Sequence, residues 1–124
     1  MRCTPGRVRA LTLLRACGLH LSAVEVCARL AQVGEIFHAT TVYRTLETLA
    51  EVGLVHGVPG PGPVRYGISD ETHHHTVCRR CGRVEALAVD HLAEAAGRIE
   101  ELTGLRPDAS GSLLVYGRCA VCLA

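Results

Sequence analysis

The sequence predicts an α+β fold, with three helices and a two-stranded hairpin in residues 1–69 and a smaller α/β lobe in residues 70–124. Three observations carry this. Three segments with helical apolar periodicity follow one another before residue 54, and each runs into a glycine: Gly18, Gly34 and Gly53. Two short strand-like runs then flank Pro59–Pro63, PGPGP, a turn that cannot sit in a sheet ladder. The back half carries two Cys-x-x-Cys pairs, Cys78/Cys81 and Cys119/Cys122, with strand and helix patterns between them.

The first helix is expected over Thr4 to Ala16, with Pro5 near its start, where a missing N–H costs nothing. Val8, Leu11 and Leu14, with Thr12 beside them, are expected on its inner face. The second, Leu21 to Leu30, opens on a capping signature: Ser22 as cap, Glu25 three residues later, and Leu21 set to pack on Val26. Val24, Cys27, Ala28, Leu30 and Ala31 are expected to form its buried side. The third, Thr40 to Val52, repeats Val42, Leu46 and Leu49 at intervals of four and three, which leaves Tyr43, Arg44, Glu47 and Thr48 outside. With Leu54–Val58 and Val64–Ile68 as hairpin strands, the front half has a winged helix-turn-helix outline. Asp70 and Glu71 read as a hinge. Behind them, strands at Thr76–Cys78 and Val84–Val89 flank the Cys81–Gly82 turn. A helix over Leu92–Leu102 puts Leu92, Ala96, Ile99 and Leu102 on one side, and a strand at Leu113–Tyr116 leads into the second cysteine pair.

Composition narrows the class. Of 124 residues, 48% are apolar, enough for a folded chain, but large aromatics are limited to three tyrosines and one phenylalanine. Small lobes with few large side chains have thin cores, so a structural metal would add what packing lacks. No run approaches the roughly 20 apolar residues of a membrane helix, and the first residues lack the apolar region of a secretion signal. The seven cysteines are therefore expected to be reduced, in a cytoplasmic metal protein without membrane contact, rather than a disulfide framework. Net charge is only +1, but the front half, to Val58, carries six arginines against four acids, and the rest seven against eight.

Three constellations carry chemistry. A two-residue spacer lets both thiolates of a Cys-x-x-Cys pair reach one ion, and Cys78, Cys81, Cys119 and Cys122 supply the four that a structural zinc takes. One pair alone would suit a redox site equally well; two favour metal. Cys17 and Cys27 lack this spacing and are expected to pack as small apolar residues, with Cys3 exposed. Next, in Thr72–Gly82, THHHTVCRRCG, strand alternation sets His73 and His75 on one face and His74 on the other. That pair suits a second metal, for which imidazole alone does not choose between zinc, nickel and iron; the plainer alternative is a polar hinge. Third, the outer face of Thr40–Thr48 presents hydroxyls and an arginine fork suited to base edges and phosphates, although it could be an ordinary solvated face. Arg7, Arg9 and Arg15 can add phosphate contacts.

Taken together, Thr4–Pro5 with Arg7, His20 to Ala23, Thr41 to Leu46 (TVYRTL), His73 to Gly82 and Tyr116 to Cys122 resemble the ferric uptake regulator family of metal-dependent repressors. The resemblance covers nearly the whole chain. It implies a homodimer, an N-terminal winged helix, a C-terminal dimerisation lobe and a structural zinc at the paired cysteines. It implies that Tyr43 contacts bases and Arg44 a phosphate; the residues' own chemistry adds Thr40, Thr41 and Arg7 to the expected DNA face. It also implies a sensing site that joins the lobes, with His20 from the loop before the capped helix, His73 and His75 from the histidine-rich strand, and His56 where zinc-sensing members place an acid.

Departures from the family pattern bear on the signal. Gly67 stands where members often supply Glu or Cys, Gly6 replaces a usual glutamine, and the usual acid after the second cysteine is displaced to Glu85. A further site in many members would fall at Thr72, His74, Ala93 or Glu94, and Gly111, of which only His74 and Glu94 can ligate. No histidine-rich tail follows the core motifs. The sequence thus predicts a metal-responsive repressor that binds palindromic double-stranded operators as a homodimer. The sensed metal is zinc, nickel or iron; an iron site for peroxide would draw on Asp70 or Glu85. The rival reading is a zinc-binding storage or interaction protein whose winged helix no longer reads DNA. A hydrolase is disfavoured, since no carboxylate stands at general-base spacing from the His-x-His ligands.

Overall fold

Local capping chemistry fixes the starts of the first two helices. The computed structural model describes residues 2–69, 73–106 and 113–124. Helix α1, Pro5–Cys17, begins with Pro5 in its first turn, and the Thr4 hydroxyl accepts from the Arg7 N–H at 3.3 Å. It ends at Gly18, whose φ of 64° is left-handed and whose N–H donates to the Leu14 carbonyl. Helix α2, Ala23–Gln32, carries the expected capping box: the Glu25 N–H donates to Ser22 Oγ at 3.2 Å, and the Ser22 N–H to Glu25 Oε1 at 3.0 Å. Helix α3, Ala39–Glu51, buries Val42, Leu46 and Leu49 as its periodicity requires.

The inner faces of the first two helices depart from expectation. On α1 the buried residues are Ala10 and Leu14, while Val8 and Thr12 are exposed. On α2 they are Ala23, Val26 and Leu30; Val24 is 64% exposed, and Ala28 and Ala31 also face outward. Both helices are turned so that alanines, Ala10 and Ala23, enter the core, where a small side chain allows close approach. Strands β1, Val55–Val58, and β2, Arg65–Ile68, pair antiparallel with His56 opposite Gly67. Leu21 joins β2 by two backbone bonds to Tyr66, at 2.9 and 2.7 Å. That bridge draws the residues just before α2 onto the hairpin. One cluster holds the unit together: Ala10, Leu14, Leu21, Ala23, Val26, Leu30, Val42, Leu46, Leu49, Val55 and Tyr66.

The chain divides into two units, Met1–Asp70 and Glu71–Ala124. In the second, β3, His73–Cys78, is longer than the expected Thr76–Cys78 strand and lies between β4, Val84–Ala88, and β5, Leu114–Gly117. β3 and β4 are antiparallel, β3 and β5 parallel. A parallel return needs a crossover, which contains a 3₁₀ turn, Val89–Leu92, and helix α4, Ala93–Thr103. A last helix, α5, Ala120–Leu123, holds the second cysteine pair's end. α4 has no buried residue, and Leu102, expected on its packed side, is 69% exposed. The hinge residues Asp70 and Glu71 lie outside the described residues. Among the described residues, no helix is long and apolar enough to cross a membrane.

Candidate functional site

Parallel pairing of β3 with β5 is what brings the two cysteine pairs together. Cys78, the last residue of β3, lies opposite Gly117 in the ladder, so Arg118 and Cys119 emerge beside it. The Cys78 sulfur accepts from two backbone N–H groups, those of Cys81 and Cys119, each at 3.4 Å. The Cys81 and Cys119 sulfurs are 3.8 Å apart, and all four sulfurs lie within 4.8 Å of one another. Four thiolates about 2.3 Å from a tetrahedral zinc stand about 3.8 Å apart, so the cluster fits that ion closely. Arg79 braces the turn, its guanidinium 4.6 Å from the centre of the Tyr116 ring and its N–H donating to the Gly117 carbonyl.

Electrostatics in the cluster point the same way. The backbone N–H groups of Cys81, Cys119 and Arg80 hold the Cys78 thiol down at about 5, against the ordinary 9.0, despite burial. The Cys119 thiol is lowered as well, first by the Cys122 backbone. The Cys122 thiol is pushed up to about 12, chiefly by its hydrogen bond to Cys119. Cys78 is thus held toward the thiolate and Cys122 toward the thiol by their neighbours.

The histidines are placed by different means. His20 lies between α1 and α2, in the segment that the Leu21–Tyr66 bridge ties to β2, and His56 lies on β1. Their Nε2 atoms are 2.9 Å apart, with the rings edge to face. Two nitrogens bound to one tetrahedral ion would lie about 3.3 Å apart, so a few tenths of an ångström of ring rotation would admit a metal. On the other ring nitrogen, His56 Nδ1 is 3.2 Å from Ser69 Oγ, a partner the sequence did not reveal. In the second unit His75 is buried on β3. His73 belongs to the same strand, but its side chain lies outside the described residues, as does Asp70. Glu85 is paired across the ladder with Thr76, hence on the opposite sheet face from His75, and its carboxylate binds Arg83 Nε at 2.6 Å.

His74, which alternation sets on the opposite face from His75, is buried as well. It is 5% exposed, and its Nδ1 accepts the Leu113 N–H at 2.9 Å, just where β5 begins. The ring proton is therefore on Nε2. His74→Ala should leave that N–H unsatisfied and a small void, destabilising the second unit by about 1–3 kcal/mol in a denaturant melt. A melt unchanged from wild type would remove His74 from the fold's supports.

On α3, Thr40, Thr41, Tyr43 and Arg44 are all exposed, opposite the Val42/Leu46/Leu49 stripe. Arg7 turns its guanidinium to the Arg2 carbonyl at 2.7 Å, and Arg9 pairs with Glu35 at 3.0 Å. Below this surface Tyr66 is buried, and burial pushes its phenol pKa up.

Comparisons with known proteins agree with this arrangement. The model of the ferric uptake regulator family matches residues 1–109. The zinc uptake regulation protein of Mycobacterium tuberculosis is 36% identical over 126 residues, a match spanning 98% of this chain and 95% of that protein. The solved ferric uptake regulator from Francisella tularensis with iron superposes with a TM-score of 0.78 at 25% identity, covering 100% of this chain and 96% of that one. A zinc uptake regulator complexed with zinc and DNA superposes at 0.60 and 26% identity, covering 99% and 84%.

Proposed function

This chain belongs to the ferric uptake regulator family, and from that premise we propose that it is a metal-responsive transcriptional repressor that binds palindromic operators as a homodimer. Membership places it among regulators rather than enzymes. The observation that carries the reading is that the unit holding the helix-turn-helix also converges two imidazoles, His20 and His56, at 2.9 Å. A ligand held on the DNA-reading unit can bias how that unit is presented, which a purely structural ion elsewhere cannot.

In this reading the four cysteines hold zinc for structure, and His20, His56, His73 and His75 hold a second, exchangeable zinc, nickel or ferrous ion. When bound, that ion supplies only a coordination bridge; no turnover follows. Binding at these imidazoles would favour one presentation of the DNA-reading unit over others. In a dimer this sets the spacing of the two α3 helices to that of operator half-sites, about 34–36 Å apart or a multiple of it. A second copy would also cover apolar surface on the second unit: Leu114, Val115, Val121 and Leu123 are all exposed, and β5 is exposed throughout. Such a regulator acts in the cytoplasm, where its DNA is.

DNA contact is assigned to Thr40, Thr41, Tyr43 and Arg44 on α3 and to Arg7 on α1. Tyr43→Ala should relax base preference, whereas Arg44→Ala should weaken binding to all sequences alike and lower the salt slope by about one. Electrophoretic mobility shifts over a salt series separate the two effects. Unchanged affinity and unchanged sequence preference in Tyr43→Ala would take that residue out of the interface.

A further inference from the structure

Within the front unit, Gly67 sits directly across the hairpin from His56. A Cβ built on Gly67 would stand 2.6 Å from His20 Nε2 and 2.7 Å from His20 Cδ2, nearer than real Cβ atoms come. The glycine's φ is not in the left-handed region, so its backbone does not require glycine; the space its missing side chain leaves does. His20 occupies that space, and from there its Nε2 reaches His56 Nε2 at 2.9 Å. On the far side of His56, Nδ1 meets Ser69 Oγ at 3.2 Å. For His56 Nε2 to offer a lone pair to an ion, the ring proton must be on Nδ1, which then donates to the serine oxygen.

We infer that Gly67 and Ser69 are the positioning residues of a two-imidazole clamp: Gly67 admits His20 to the site by having no side chain, and Ser69 fixes the tautomer and tilt of His56. The inference rests on the proposed second metal. With the hairpin as it stands, a side chain at position 67 would meet the His20 ring and force it to move. The clamp in this unit therefore offers nitrogen donors only, which suits zinc, nickel or cobalt.

The test uses the full chain with its cysteine zinc retained, titrated with cobalt(II) and followed by its d–d absorption, with zinc affinity from chelator competition. Wild type is expected to take up one further equivalent. Gly67→Ala should fold normally, because the group that must give way is the end of a side chain, yet should lose about tenfold or more in affinity and change the cobalt spectrum. His20→Ala should cost a similar factor alone and nothing further in the Gly67→Ala background, since the ring is already displaced. Ser69→Ala should lose about tenfold and Ser69→Thr should recover it. If wild type binds no second ion, the regulator's sensor site and this clamp fail together. If wild type binds one but Gly67→Ala binds it as tightly, or the His20 and Gly67 losses simply add, this inference alone is overturned. Wild-type affinity in Ser69→Ala overturns the role given to the serine.

Discussion

Cys81→Ser is expected to release the cysteine-bound zinc and unfold the second unit, leaving the front unit's helices in place. The second unit has little else to hold it. Among its described residues the buried side chains are those of Val77, Cys78, His74 and His75, and α4 and β5 bury nothing. Structural zinc contributes about 10 kcal/mol or more of apparent folding free energy in small domains, far beyond what so thin a core supplies. Elemental analysis should find about one zinc per wild-type chain, resistant to mild chelation, and none at this site in the variant. The pH dependence has a definite sign. Without metal, the Cys78 thiol is held at about 5 in the fold against 9.0 ordinarily, so its own contribution is complete above pH 9 and is lost as pH falls through about 5. A zinc-free protein that kept the second unit's structure and its dimer would refute this part of the account.

His20→Ala is expected to abolish the metal-dependent gain in operator affinity, about 5- to 150-fold for couplings of this kind, while the cysteine zinc stays. The residue lies outside both α3 and the cysteine cluster, so the variant is expected to fold and to retain any weak, salt-dependent DNA binding. Operator titration with and without metal, alongside zinc analysis, measures it. Full metal-dependent binding in His20→Ala would mean that the front unit takes no part in sensing, and the histidines of β3 would have to act within the second unit alone.

What was legible in the sequence was what local chemistry decides. Ser22 and Glu25 form their capping box within one turn, and the Val42/Leu46/Leu49 stripe sits inside one helix, so both could be read before any tertiary contact was known. The phases of α1 and α2 could not. Periodicity identifies an apolar set but not which of its edges faces the core, and packing chose Ala10 and Ala23 over Val8 and Val24. That the four cysteines cluster was suggested by their spacing, but the reason the two pairs meet, parallel pairing of Cys78 with Gly117, joins residues far apart in the chain and leaves no local mark. The same holds for the Leu21–Tyr66 bridge that carries His20 to the hairpin, and for Ser69 behind His56. Alternation correctly separated His74 from His75. It could not say that β3 is the central strand, where a residue on the second face is also buried.

The central claim is that a second metal, held through His20 and His56, controls DNA binding. Its most direct test is fluorescence anisotropy of a selected pseudo-palindromic duplex with protein holding only its cysteine zinc, titrated in turn with zinc, nickel and ferrous iron. The account predicts that at least one of the three raises affinity about 5- to 150-fold, with one ion taken up per chain and two chains bound per duplex. Identical affinity with and without each of the three ions would contradict it.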